Sequence, residues 1–484
     1  MLAQENLLID GKLVPAGKVF ENVNPATEEV LGVAADASAE DMDAAIGAAR
    51  RTFDEGSWAA DPAFRARCIR QLRDALQEVA EDLRATTVAE VGAPLMLTYG
   101  AHLDGPVADL GWSADLLDGY AWTHDLGVSE VMGITSRRSF TRVPAGVVGA
   151  ITPWNFPHQI NLAKLGPALA AGCTVVLKAA PDTPWCATAL GQLIAEKTEI
   201  PAGVVNVITS SDHGLGAQLS TDPRVDLVSF TGSTNTGRAV MRAAADTLKK
   251  VFLELGGKSA FIALDDEKLT EAMGFAGFSG IVHAGQGCAI TTRILIPRSR
   301  FDEGVEALAG TLAALPAGDP SDGGTVCGPV ISARQRDRIE GFLTRAKDAG
   351  GTFVTGGKRA DRDKGFFIEP TLVVGLDNSA EIAREEVFGP VLTAIPYDDV
   401  DHAVEIANDS DYGLSGAVYG ADLEQSKAVA ARLRTGTVGI NGGIWYGPDV
   451  PFGGFKHSGI GREMGVAGFE EYTEIQSIAV PAGS

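Results

Sequence analysis

The stretch Val147-Val-Gly-Ala-Ile-Thr152, with the apolar runs that succeed it at 174–177, 204–208, 227–230 and 251–255, decides the fold. Each run is short and nearly unbroken in its apolar character, and helical segments lie between them. A strand wetted on one side alternates apolar and polar residues; a strand covered on both sides does not. Successive crossovers of this kind specify a parallel sheet with helices on both faces. Such sheets bind ligands beyond the carboxyl ends of their strands.

Outward from this core, a second strand–helix series begins after Ser259 and runs to about Asn441, which reads as a second α/β domain. Toward the N-terminus, Ser38-Ala-Glu-Asp41 opens a helix with an N-cap and an acidic first turn. The stretch 62–91 reads as one long helical segment, with Ile69, Leu72, Leu76, Val79 and Leu83 at helical spacing. Two segments fit neither series. Residues 128–143 read as a β-hairpin turning at Gly133, and 472–480 as a terminal strand. Outlying strands of that sort often pair across a subunit interface, which hides their edges.

The chain has 484 residues, 45% hydrophobic and 21% charged, with 40 Lys and Arg against 63 Asp and Glu, a formal net charge of −23. That length suits about two to four domains. The composition excludes a disordered, collagen-like or disulfide-framed chain. An acidic surface repels phosphate backbones and anionic lipids, so neither nucleic acid nor a membrane is expected as a partner. The cysteines at 68, 173, 186, 288 and 327 show no metal-ligand spacing. No metal is therefore expected, and reduced thiols in a cytoplasmic protein are the simplest reading. Residues 1–14 carry Glu5 and Asp10 and lack the apolar core of a signal peptide. The most apolar run, 166–177, is too short to span a bilayer.

Several segments are richer in Gly, Pro and reactive side chains than packing requires. Pro153-Trp-Asn-Phe-Pro157 follows a strand and holds Asn155 between two prolines, where it could aim an amide donor; alone it reads as a turn residue. Phe230-Thr-Gly-Ser-Thr-Asn-Thr-Gly237 follows another strand and opens a helix, so its backbone N–H groups can face a phosphate. It is not a Gly-x-Gly-x-x-Gly fingerprint, and Gly214-Leu-Gly216 is only a fragment of one. Glu254-Leu-Gly-Gly-Lys258 puts a carboxylate at a strand end, as a general base or a capping group. Gly285-Gln-Gly-Cys288 sets a thiol among small residues that give a substrate room, although a free cysteine is usually buried and structural. Cys68, in a helical stretch, and Cys173 and Cys186, flanking an apolar strand, fit that structural role better.

Together with Glu385-Glu-Val-Phe-Gly-Pro390 and Pro451-Phe-Gly-Gly-Phe-Lys456, these segments resemble the aldehyde dehydrogenase superfamily, in the expected order over nearly the whole chain. The resemblance implies two Rossmann-like α/β domains plus a small β oligomerisation element. The cofactor domain would take 1–125, 145–256 and 450–468, the catalytic domain 257–449, and the oligomerisation element 126–144 with 469–484. Homodimers, or pairs of them, are implied.

The resemblance makes Cys288 the nucleophile that adds to an aldehyde. Asn155 and the Cys288 backbone N–H become the oxyanion donors, and Glu254 the base that hydrolyses the thioester. Lys178 completes the catalytic set and reaches the adenosine ribose. Ser233 contacts the pyrophosphate, and Glu386 holds the nicotinamide ribose beside Phe388. Ile151, Thr152, Pro153, Trp154, Asn155, Gly216, Phe230, Thr231, Gly232, Glu254, Leu255 and Gly256 complete the cofactor pocket. Many NAD-preferring relatives carry a Glu three residues after the lysine; here that residue is Pro181. NAD is the expected cofactor, with NADP left open.

By alignment the substrate tunnel takes Phe156, Ile160, Ala163, Val282, Gly287, Ala289, Trp445, Tyr446 and Phe452. Small residues at Ala163 and Gly287 suggest width, the aromatics suggest an apolar lining, and no charged anchor is evident. A medium-sized or bulky apolar or aromatic aldehyde is expected. Glu254 favours a free-acid product over the alternative, transfer to coenzyme A. A cysteine esterase and a non-enzymatic structural relative are the further alternatives, and each leaves part of the motif set unused.

Overall fold

The computed structural model describes residues 1–2 and 5–482. The sequence-based runs become a sheet of eight strands. Its five central strands, Val205–Ile208, Thr174–Lys178, Val147–Ile151, Leu227–Thr231 and Lys250–Glu254, are parallel. Leu7–Ile9 with Lys12–Val14 at one edge and Gly459–Ile460 at the other are antiparallel additions. From Val147–Ile151 the chain adds strands first on one side and then, starting with Leu227–Thr231, on the other. The strand order reverses between these two, and a crevice opens at such a switch point.

Burial explains the unbroken apolar runs. Val148, Ala150, Val175 and Leu177 face one core, which the helices Pro62–Glu78, Asp104–Leu116, Pro157–Ala171 and Pro184–Lys197 cover. Val147, Val176 and Val228 face another, covered by Ala39–Glu55 and Gly214–Thr221. The period of two survives as a division between two cores rather than between core and solvent.

A second sheet of seven strands has Ser259–Ala263, Thr291–Pro297 and Val391–Tyr397 at its centre. Phe261, Ala263, Ile294 and Ile296 point to one side, and Ala260, Ile262 and Leu295 to the other. Thr123–Val131 and Ile134–Pro144 form the hairpin, its two-residue turn at Met132 and Gly133. Thr473–Pro481 joins it as a third, antiparallel strand. The last two residues of the expected oligomerisation element lie outside the described residues, as do residues 3 and 4 of the first segment.

Ser38 caps Ala39–Glu55 in a reciprocal capping box with Asp41. The expectation of one helix over 62–91 is corrected: there are two, Pro62–Glu78 and Ala80–Val91. The break at Val79 (φ −110°, ψ 19°) redirects the second helix so that it buries polar residues. Among them is Glu90, whose carboxylate accepts from the Trp185 and Cys186 N–H groups (3.0 and 2.8 Å). It satisfies free donors at the start of Pro184–Lys197, a helix without a capping side chain of its own.

Candidate active site

At the carboxyl ends of the central strands lies a cleft of about 660 Å³. Every residue expected at the cofactor lines it, from Ile151 through Phe388, and Cys288 lines it too. This follows from topology. Ile151, Lys178, Thr231 and Glu254 are the last or near-last residues of adjacent parallel strands, so they come level along one rim.

Ser233 is the N-cap of the helix Thr234–Ala245, its hydroxyl accepting from the Thr236 N–H (3.3 Å). Lys178 is buried, and its desolvation lowers its pKa against the pull of Asp212 and Asp36. Asp182, one residue beyond Pro181, also lines the cleft. Burial raises its pKa, opposed by Arg334 and His213. Glu386 reaches in from the second sheet's side. Its Oε1 accepts from the Gly257 N–H (2.9 Å), and burial moves its carboxyl up to about 7. Phe388 takes a left-handed backbone (φ +58°) and turns its ring edge-on to Trp154.

Cys288 is the one partly exposed cysteine among the described residues; Cys68, Cys173, Cys186 and Cys327 are buried. Burial of its sulfur raises the thiol pKa, and the charges of Glu254, Glu386 and Glu463 raise it further. Asn155 donates through Nδ2 to the Gln286 carbonyl (2.9 Å), which uses one of its two amide hydrogens.

Glu254 is 2% exposed, and neither carboxylate oxygen has a hydrogen-bond partner among the described residues. A capping role is therefore absent. Burial pushes its pKa well above the usual carboxylate range, Glu463 adds to this, and Lys164 and Arg462 oppose it. Lys164 and Glu463 form a buried ion pair at 3.0 Å, extended by Ser229 and the Tyr472 hydroxyl. Sequence reading passed over this pair because its members lie 299 residues apart.

The expected tunnel residues divide. Ile160 lines the main cleft. Ala289, Trp445 and Tyr446 pack, as Cys288 does, against a buried cluster of Leu414, Phe452 and Met464, with Trp445 stacked on Phe452 at 5.5 Å. Ala163 and Tyr446 line a second cavity of about 40 Å³, together with Asp109, Trp112, Gln159 and Met464. Tyr446 is hydrogen-bonded to Gln159. Phe156, Val282 and Gly287 line neither cavity. Phe156 instead stacks on His102 at 4.2 Å. The room that Gly287 suggested is taken by Ile290, whose Cδ1 would lie 2.7 Å from an added Cβ. Asp109 went unnoticed in the sequence, where it is one acidic residue on a helix. Here burial, with the charge of Asp449 adding to it, raises its pKa to about 6.

A doubly wound sheet, a cleft at its switch point and a cysteine on that cleft's wall define an enzyme that joins nucleotide binding to covalent chemistry. The model of the aldehyde dehydrogenase family matches residues 14–478. Geranial dehydrogenase of Castellaniella defragrans is 40% identical, covering 98% of each chain. An aldehyde dehydrogenase of Mycobacterium tuberculosis, solved with NAD+, superposes with a TM-score of 0.95 at 42% identity over 99% of both chains. Aldehyde dehydrogenase C of Pseudomonas syringae, solved as a mutant with NAD+ and octanal, gives 0.92 at 38% identity over 98% of this chain and 96% of that one. The chain belongs to the aldehyde dehydrogenase family.

Proposed function

We propose that the protein oxidises a medium-sized or bulky, apolar or aromatic aldehyde to the free carboxylic acid with NAD+. The observation that carries this reading is one continuous cleft lined by Cys288, Asn155, Glu254, Glu386 and Lys178.

The cleft fits a dinucleotide. Among the described residues the hydroxyls of Thr152 and Thr231 are buried there without hydrogen-bond partners, as are both oxygens of Glu254. The helix start at Ser233 offers N–H donors to a pyrophosphate. Lys178 and Glu386 suit the adenosine and nicotinamide riboses. NAD is favoured over NADP because Asp36, Asp212 and Asp182 lie near Lys178 or line the cleft, and their charge repels a 2′-phosphate. The NAD+-bound relatives support the same choice.

In this reading the Cys288 sulfur bonds to the aldehyde carbon after losing its proton to a base. The carbonyl oxygen becomes an oxyanion, held by the second Asn155 amide hydrogen and the Cys288 N–H. Bound NAD+ supplies the hydride acceptor, and loss of hydride leaves an acyl thioester on Cys288. Glu254 then takes a proton from water, whose oxygen bonds to the acyl carbon as the carbon–sulfur bond breaks. The sum is one aldehyde, one water and one NAD+ converted to one acid, one NADH and one proton.

The aromatic residues that share an apolar cluster with Cys288 support an apolar substrate, and the carboxyl of Asp109 disfavours an acidic semialdehyde. Geranial and octanal, named for two of the relatives, have apolar chains. A homodimer or homotetramer is supported by the outlying sheet, where Val128, Met132, Ile134 and Ile475 are exposed. No helix among the described residues is long and apolar enough to cross a membrane, and we place the enzyme in the cytoplasm. NADH formation across a panel of aldehydes with both cofactors tests the reading. A medium-chain or aromatic aldehyde with NAD+ is expected to give the highest kcat/KM. Preference for acetaldehyde, or for NADP, would overturn the corresponding part.

A further inference from the structure

His283 is fully buried in the segment that leads to Cys288, and its Nε2 lies 2.9 Å from the backbone oxygen of Asn155. A carbonyl oxygen only accepts, so the imidazole carries hydrogen on Nε2 and donates it. The other ring nitrogen has no hydrogen-bond partner among the described residues. His283 and Ala284 both hold left-handed backbone, φ +53° and +54°, followed by Gly285 at +68°. Residues with a Cβ adopt that conformation at a cost, so the surrounding structure must fix it.

The same segment grips Asn155 a second time, through the Gln286 carbonyl that accepts from its side-chain amide (2.9 Å). Gln286 is itself fixed. Its side chain donates to the His283 and Pro329 carbonyls (3.1 and 3.3 Å) and accepts from the Ile331 N–H (2.9 Å). Aromatic rings hold the imidazole from the side. His102 meets it edge-on at 4.5 Å and Phe156 at 5.2 Å.

We infer that His283 is a positioning residue for the oxyanion site. By holding the Asn155 backbone while Gln286 holds its amide, it makes the remaining Asn155 N–H and the Cys288 N–H converge on one oxygen. Without the His283 donor the Asn155 peptide can turn about the single Gln286 bond, and the amide swings with it. A displacement of about 1 Å at such a site is enough to cost about 100-fold in rate. The inference rests on Asn155 being an oxyanion donor as proposed above.

The test uses the full-length enzyme. His283→Phe keeps a ring between His102 and Phe156 and removes the donor; His283→Gln offers an amide near the position of Nε2. The pre-steady-state NADH burst and the NAD+ dissociation constant are measured for both, with Asn155→Ala in parallel. The expected result is a burst slowed about 10- to 100-fold in His283→Phe. Recovery to within a few-fold in His283→Gln and unchanged NAD+ binding in both are also expected. A burst in His283→Phe within about twofold of the parent overturns the inference, as does a loss that His283→Gln fails to restore. If Asn155→Ala leaves the burst intact, the oxyanion assignment itself fails; if Asn155→Ala abolishes it while His283→Phe does not, only the inference about His283 fails. Should His283→Phe not fold, His283→Asn, whose amide is too short to reach, takes its place with the same two outcomes.

Discussion

The two sides of Cys288 are built differently. The cofactor side is made from the ends of adjacent strands and the starts of the segments that follow them, so Ile151, Lys178, Thr231 and Glu254 are placed by backbone pairing. The aldehyde side, as proposed above, draws on side chains of distant segments: Asp109, Trp112, Gln159 and Ala163 meet Tyr446 around the small cavity, and Trp445 stacks on Phe452. One is a property of the sheet. The other is a property of packing, and a few side-chain changes can reshape it while the sheet stays as it is.

The largest effect is expected from Cys288→Ala. Turnover should fall by on the order of 10⁴-fold or more, while NAD+ binding, followed by fluorescence titration, stays near the parent value. Loss of both together would mean that the two sides are not separable.

Glu254→Gln should keep a first burst of NADH and slow the steady state by about 10²- to 10⁴-fold. The sign of the pH effect follows from burial. The Glu254 pKa is raised, so its basic form grows as pH increases over a range above that of an ordinary carboxylate, and parental kcat should rise with pH there. The Gln variant should lack that climb in a pH–rate profile. An unchanged steady-state rate in Glu254→Gln would remove the residue from the hydrolytic step.

Asp109→Asn sharpens the contrast from the aldehyde side. It should raise kcat/KM for a carboxylate-bearing semialdehyde by about tenfold, as loss of one nearby like charge would, and leave octanal unchanged. Equal effects on both substrates would place Asp109 outside the substrate path. The smallest effect belongs to Ser233→Ala. Loss of the N-cap should cost about 1 kcal/mol, read as a small drop in the thermal unfolding midpoint. NAD+ should bind a few-fold more weakly, with the order of preference among aldehydes unaltered.

The strand ends that line the cleft were legible in the apolar runs, whereas the cofactor roles given to those residues came from the resemblance and remain part of the proposed function. The motif at 230–237 reads as a strand end opening a helix, and Ser233 is indeed the cap of Thr234–Ala245. Gly287 misled because a missing side chain signals space only if no neighbour fills it, and Ile290 does. A residue adjoining a site need not face it: the Phe156 ring stacks on His102, a contact that local sequence does not signal. The break at Val79 was hidden because the apolar spacing continues across it while the helix axis does not.

The sequence by itself determined the parallel sheet and the strand ends that form the cleft, because unbroken apolar runs and local motifs act over a few residues; the role of Cys288 came from the resemblance and belongs to the proposed function. Only the tertiary structure decided which groups meet across the chain. It joined Lys164 to Glu463, left Glu254 without a partner, brought Asp109 beside Tyr446 and laid His283 against Asn155. Those outcomes depend on burial and on contacts between segments far apart in sequence, which no local pattern encodes.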